Sequence, residues 1–272
     1  MCWRFYGRLT GMVPAAVLTW IPVVLLLDRG ATMGQQRLLG IGTWLLLLAL
    51  LWREDTKTRA QVGVVVVFAT AVEYCFAGWL GVYTYRLHDV PWFVPPGHGL
   101  VYLGALAIGR SSYVARSGRW LVPLTLALAG SYATWGLFLS GRRDVLGAFW
   151  FACLAFFLLK GRQLTRSSAW SQNNLVFVGA FAVVTYLELL GTGLGTWTWQ
   201  VRDPVLGVVA MGNPPSGAAG GYGFFDAAAL WLAPRLIESI RLSVVRRIPG
   251  KRQRRQPVDA LHRPELGWSV ES

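Results

Sequence analysis

Charged residues are scarce in this chain of 272 residues, and acidic residues are scarcer than basic ones. Asp, Glu, Lys and Arg together make up 14% of the residues, whereas hydrophobic residues make up 54%. A mean hydropathy of +0.44 excludes a disordered chain and argues against a water-soluble globular domain. We therefore expect an integral membrane protein.

Cysteine and histidine are also rare, with three of each. Neither residue type has the spacing of a disulfide framework, a zinc site or a helical pair of metal ligands. No phosphate-binding glycine loop and no nucleophile elbow is present. The sequence therefore predicts neither a metal site nor a cofactor.

Long apolar runs are what the sequence has instead, and several approach the roughly 20 residues that a helix needs to cross a bilayer. They predict an all-α, polytopic membrane helical bundle with about eight transmembrane helices. The second and sixth runs are short, so seven spans remain an alternative. The runs are residues 11–28, 38–52, 61–83, 98–115, 119–140, 144–160, 174–195 and 220–241.

The net charge of +13 is distributed unevenly between the connections. With eight spans, twenty of the 26 Lys and Arg residues fall on one side of the membrane. The positive-inside rule then predicts a multi-pass protein of the cell membrane with both termini in the cytoplasm. We expect the basic tail, residues 242–272, to contact anionic lipid. No folded module supports nucleic-acid binding.

One cassette of residues occurs twice, about 115 residues apart. Each copy has a Glu in an apolar run, then a Leu-Gly-aromatic block, then a loop that contains Pro-Pro. The first copy consists of Glu73, LGVYTY at 80–85 and Pro95-Pro96-Gly97-His98-Gly99. The second consists of Glu188, LGTWTW at 194–199 and Asn213-Pro214-Pro215-Ser216-Gly217.

The repetition predicts two four-helix halves, residues 1–118 and 119–241, in a four-plus-four arrangement. Because four is an even number of spans, the halves would have the same orientation and form a parallel repeat about an axis along the membrane normal. The two Glu residues align at an offset of 115 and the two blocks at 114. We expect a bulge in one helix to absorb this difference, in the glycine-rich second copy at 191–195.

Glu73 and Glu188 are the first candidates for chemistry, because ionisable groups within a membrane are costly and tend to be functional. The repeat predicts that the two carboxyls lie at similar depth and face a shared interior. Thr70 and Thr185 precede them on the same helical face and could bind them. Desolvation disfavours a charged carboxyl, so at least one is expected to be protonated and suited to general acid catalysis. The alternative is that each Glu is only a structural link.

His98 and Asp226 are further catalytic candidates, since each lies near the start of a span that follows an outer loop. His98 could equally be a residue that only hydrogen-bonds at the helix start. The aromatic residues of the two blocks fit an interfacial belt, and with Asn213 they could alternatively bind substrate. These four aromatic residues are Tyr83, Tyr85, Trp197 and Trp199.

Two families resemble parts of this pattern. The run Glu188, Gly191, Gly193, Gly195, Trp197, Trp199 is similar to the acidic-glycine-aromatic segment of the carotenoid hydratase family, with Leu194 where that segment has Pro-Phe. Glu73 and Asp226, on an early and a late helix, resemble the carboxylates of integral-membrane terpene cyclases. Both resemblances imply that buried acids protonate or hydrate an isoprenoid.

The first functional interpretation is a membrane enzyme that acts on a lipid or isoprenoid by carboxylate acid–base chemistry, of a lyase or isomerase type. Hydration, cyclisation and isomerisation all fit this interpretation. A small proton-coupled transporter is the second interpretation, because paired carboxylates and a repeat suit it too. A non-catalytic assembly protein whose helices pack through small residues is the third.

Overall fold

The computed structural model describes the backbone of residues 2–164 and 172–247, and the side chains of residues 12–160 and 175–240. In this part of the chain, eight α-helices and one short strand pair make up the fold, which confirms a mostly helical protein. The elements are α1 (Cys2–Asp28), α2 (Met33–Leu51), α3 (Thr56–Glu73), a π-helical turn (Tyr74–Trp79), β1 (Tyr83–Tyr85), α4 (Val94–Arg110), α5 (Ser112–Phe138), α6 (Val145–Leu164), α7 (Gln172–Gly193), β2 (Trp197–Trp199) and α8 (Ala218–Arg247).

Among the described residues, four helical segments are long and apolar enough to cross a membrane: Met33–Leu51, Thr56–Trp79, Ser112–Phe138 and Leu175–Gly193. Large apolar side chains cover the outward surface of the bundle. Leu45, Val67 and Phe138 are 63%, 72% and 73% exposed. Such an extensive exposed apolar surface suits contact with lipid rather than water.

Local sequence explains where several helices begin. Thr32 and Gln35 form a capping box at the start of α2, and the Asp55 side chain accepts a hydrogen bond from the backbone N–H of Thr58 at the start of α3. Pro95 and Pro96 lie in the first turn of α4, where a missing N–H removes no helical hydrogen bond.

Helix α4 is the central element of the bundle. Twelve of its 17 residues are buried, and it packs against α1, α2, α3 and α7. Glycines allow the closest approach to α7, since a Cβ on Gly109 would lie 2.6 Å from the backbone N of Val176. The first turn of α4 carries His98 and is therefore held deep inside the protein.

Helix α8 packs against α3, α6 and α7. Its first turn approaches the backbone of α6 so closely that a Cβ on Gly220 would overlap the carbonyl oxygen of Trp150. The expected boundary between the repeats, 118/119, falls inside α5, because α4 and α5 meet at Ser111. The expected basic tail, 242–272, begins within α8, and its residues after Arg247 lie outside the described part of the chain.

Strands β1 and β2 form an antiparallel pair that an all-α assignment omits. Tyr83 lies opposite Trp199, and Tyr85 lies opposite Trp197. Successive side chains of a strand point to opposite faces, so these four rings share one face of the ribbon. The ribbon joins the two sequence cassettes directly.

Two buried aspartates tie the helix connections to the loops that follow each strand. Asp28, which is fully buried, accepts hydrogen bonds from Gln36 at 2.7 Å and from Arg86 at 3.3 Å. Asp144 accepts hydrogen bonds from the backbone N–H groups of Gly147, Gly212 and Ser216. Asp28 ends one apolar run and Asp144 begins another, a signal that sequence reasoning did not use.

Replacing Gly220 by Ala tests the contact between α8 and α6. Backbone atoms cannot rotate away as a side chain can, so we expect Gly220→Ala to lower the free energy of unfolding by about 1–3 kcal/mol or more. Thermal unfolding in detergent micelles measures this. Gly63→Ala on α3 is the matched control, since its Cβ would meet nothing within 4 Å. Equal stability of the two variants would contradict the described contact.

Asp203 gives a pH-dependent prediction for the loop after β2. Hydrogen bonds from backbone N–H groups, first those of Leu206 and Val209, hold the pKa of Asp203 below its usual range. A lowered pKa stabilises the loop above the usual value of about 3.9, and this stabilisation is lost as the pH falls through the lowered value. At neutral pH we expect the amide hydrogens of Val208 and Val209 to exchange faster in Asp203→Asn, because their bonds to the carboxylate are weakened. Asp89→Asn, in the loop after β1, is the control and should leave the exchange of those two amides unchanged.

Candidate functional site

A cavity of about 350 Å³ lies inside the bundle, and most of its wall is aromatic or aliphatic. Both Glu73 and Glu188 line it, as the repeat predicts. Lys and Arg are absent from the described side chains that line it. The two carboxyls therefore have no Lys or Arg partner in an apolar enclosure.

Glu73 binds three polar side chains. Its Oε2 accepts hydrogen bonds from the hydroxyls of Tyr83 at 2.8 Å and Tyr85 at 2.7 Å. Its Oε1 lies 2.9 Å from Nε2 of His98. The alternation of the strand puts both tyrosines of β1 on the side that faces this carboxyl. Glu73 and its partners thus form one connected network.

Glu188 has a matching arrangement with different donors. Its Oε2 accepts hydrogen bonds from the indole N–H groups of Trp197 at 3.0 Å and Trp199 at 3.2 Å. Indole N–H can only donate, whereas a phenol hydroxyl can donate and accept. The two carboxyls are therefore held in similar positions by groups of different chemical capability.

The four ring donors pack against each other across the ribbon. The ring centroids of Tyr83 and Trp199 are 4.4 Å apart, and those of Tyr85 and Trp197 are 6.2 Å apart. All four residues are only 6–7% exposed. Their role is therefore not that of an interfacial belt, because they face inward to the two carboxyls.

A π-helical turn lies between Glu73 and its aromatic block. Tyr74–Trp79 has this geometry, with the N–H of Leu80 bonded to the carbonyl of Cys75 at 2.8 Å. The expected irregularity between Glu and block is therefore confirmed, but its location in the second copy is wrong. A π-turn accommodates one extra residue, and the first copy is the one that has it. The glycines of the second copy have another use, because a Cβ on Gly191 would overlap the Trp197 ring.

His98 is held between Glu73 and α8. Its ring stacks on Tyr222, with centroids 5.3 Å apart, and meets Phe225 edge-on at 5.8 Å. Tyr222, Phe225 and Trp150 line the cavity too, and sequence reasoning missed them. The glycine-flanked aromatic at Tyr222, directly after the second loop, was a usable signal.

The remaining predicted residues lie around the cavity rather than in its wall. The hydroxyl of Thr70 donates to the carbonyl of Val66 at 2.6 Å instead of binding Glu73. Asn213 accepts a hydrogen bond from the backbone N–H of Trp199 at 3.0 Å, so it holds β2 in place. Asp226 is 2% exposed on α8 and is not a lining residue.

Within the described part of the chain, no three His, Cys, Asp or Glu side chains come together as a metal site would require. Comparisons with protein-family models, with curated proteins and with solved structures found no match. The chemistry of the site therefore has to be inferred from its own residues.

Gly191→Ala tests whether Trp197 depends on space beside α7. The added Cβ would displace the indole ring and break its hydrogen bond to Glu188. We expect a weaker near-ultraviolet circular dichroism signal from the aromatic cluster and a loss of stability of about 1–3 kcal/mol. Gly193→Ala, whose Cβ would meet nothing within 4 Å, should leave the spectrum unchanged. Identical spectra for the two variants would show that the indole does not occupy this position.

Proposed function

We propose that this protein is an integral membrane enzyme that acts on a lipid or isoprenoid by carboxylate acid–base chemistry. The main support is the composition of the cavity, an apolar enclosure whose lining includes Glu73, its partner His98, and Glu188. Such a site suits an apolar molecule with one reactive group. Hydration, cyclisation and isomerisation of a carbon–carbon double bond are reactions of this kind.

The position of the cavity also favours a membrane-borne substrate. Phe68, Phe76 and Phe224 line the cavity, and the three residues are 41%, 39% and 47% exposed. These residues lie on α3, the π-helical turn and α8. An apolar molecule could pass between them from the bilayer without crossing water.

The two carboxyls differ in a way that suggests separate roles. Glu188 has only neutral N–H donors among its described partners and no cationic one, so we assign it the role of general acid. Glu73 has His98 and two hydroxyls as partners, which favours the role of base. In this proposal Glu188 donates its proton to an alkene carbon, whose π electrons form the new C–H bond.

The carbocation left by that step requires stabilisation and a second proton transfer. Trp197, Trp199 and Trp150 present aromatic rings to the cavity, and ring faces attract positive charge. Glu73 then takes a proton either from an attacking water, which completes a hydration, or from the adjacent carbon, which completes an isomerisation. In a cyclisation a second double bond attacks before Glu73 removes the proton.

We also propose eight transmembrane spans in a four-plus-four parallel repeat, with both termini in the cytoplasm of a cell-membrane protein. Helix packing supports the repeat, because equivalent helix pairs are in contact in both halves. The contact of α3 with α8 corresponds to that of α7 with α4, and the contact of α2 with α4 corresponds to that of α6 with α8. The antiparallel ribbon of β1 and β2 has the twofold relation that such an axis requires. The charge distribution supports the orientation.

Carboxamide variants test the function. We expect Glu73→Gln and Glu188→Gln each to reduce product formation by about 10²–10⁴-fold, the usual contribution of a general acid or base. Mass spectra of lipid extracts would be compared between cells that lack the gene and cells that carry each variant. Asp89→Asn, an exposed loop carboxylate, is the control.

Two outcomes would contradict the enzyme proposal. Identical lipid extracts with and without the gene, together with proton-linked uptake in vesicles that Glu73→Gln abolishes, would indicate a transporter. Phenotypes that both carboxamide variants leave intact, with loss of assembly in Gly191→Ala and Gly220→Ala, would indicate a scaffold.

A further inference from the structure

Three buried polar atoms near the cavity have no hydrogen-bond partner among the described residues. They are Nδ1 of His98, the hydroxyl of Tyr102 and Oδ2 of Asp226. The residues are 4%, 1% and 2% exposed. Buried polar groups are almost always hydrogen-bonded, so each unpartnered one calls for an explanation.

The three groups follow a regular geometry. Helices α4 and α8 both lead inward from an outer loop, and the rings of His98 and Tyr222 stack at the same level. Tyr102 lies four residues after His98 on α4, and Asp226 lies four residues after Tyr222 on α8. At 1.5 Å rise per residue, both lie about 6 Å deeper on the same helical faces.

Further polar groups lie toward the opposite face of the bundle, at the end of α4. Arg110 lies eight residues after Tyr102 on α4, about 12 Å farther along the helix at 1.5 Å rise per residue. Arg110 donates to the Thr58 hydroxyl at 3.1 Å and lies 3.9 Å from Oε2 of Glu54. The side chains of Arg110 and Glu54 are 32% and 27% exposed, so this end meets the aqueous phase.

Gln61 on α3 is a further buried polar group. It lies one turn after Thr58 on α3, is 1% exposed, and has its Oε1 without a partner. Polar groups thus occur at intervals along the bundle, at Glu54 and Arg110, at Gln61, at Tyr102 and Asp226, and at His98. The aligned positions in the second half cannot form such a line, because Gly217 and Gly221 occur where the first half has His98 and Tyr102.

We propose that Tyr102 and Asp226 form a proton path that connects His98 to the aqueous face at Glu54 and Arg110. Each transfer moves one proton between neighbouring oxygen or nitrogen atoms, with water bridging the gaps. His98 would exchange a proton with Glu73 at Nε2 and with the path at Nδ1. The use of the path rests on the proposed function, since it lets Glu73 discharge the proton it takes from a substrate; water that enters the cavity returns a proton to Glu188 before the next turnover.

Selective ¹⁵N labelling of histidine tests the path without any substrate. The chain has only three histidines, and a His98→Gln variant assigns the His98 ring signal. We expect the ring N–H of His98 in the full-length protein in detergent to exchange with D₂O at least tenfold more slowly in Tyr102→Phe and Asp226→Asn. Tyr132→Phe, on α5 and away from this line, is the matched control and should exchange like wild type.

The outcomes separate this proposal from the proposed function. Unchanged exchange in both variants, with thermal unfolding midpoints near that of wild type, would overturn the path and leave the enzyme proposal intact. Slower exchange in the two variants, together with wild-type lipid extracts that show no product, would support the proton path and contradict the enzyme proposal. If Asp226→Asn fails to fold, Tyr102→Phe still decides, because it removes only the hydroxyl.

Discussion

Two carboxyl groups buried in an apolar bundle constrain the structure around them. An unpaired polar group in such surroundings is strongly unfavourable, so each carboxyl needs donors close by. The structure provides them by folding the chain after each Glu back as a strand whose alternate residues point at the carboxyl. The strands pair, and the pairing holds the two halves together at the site.

This constraint explains features that are otherwise unrelated. Gly191 leaves room for the Trp197 ring beside its own helix. Asn213 holds the backbone of Trp199, and Asp144 holds the loop that carries Asn213. Pro95 and Pro96 start α4 at the level where His98 reaches Glu73. Each of these residues contributes to the position of a hydrogen-bond donor.

The two proposed halves share a framework and a buried Glu, but differ in the residues that surround the carboxyl. Phenols in the first half match indoles in the second, and His98 matches a glycine. Within the described backbone, the π-helical turn occurs only in the first copy. Acid–base chemistry requires one group that donates and another that accepts, and this asymmetry suits that division. A purely structural repeat would have no need for it.

Sequence alone predicted the helical, apolar character of the chain, Glu73, Glu188 and His98 as candidate site residues, and a single-residue irregularity beside one carboxyl. These follow from local patterns, because hydrophobic periods, Pro-Pro loops and repeat offsets are written along the chain. Only the tertiary structure decided which donors serve each Glu, that the aromatic rings point inward, and that Tyr222 and Trp150 line the cavity. The reason is that these contacts join residues distant in sequence, and a strand of three residues can present its rings to lipid or to the interior with the same alternation.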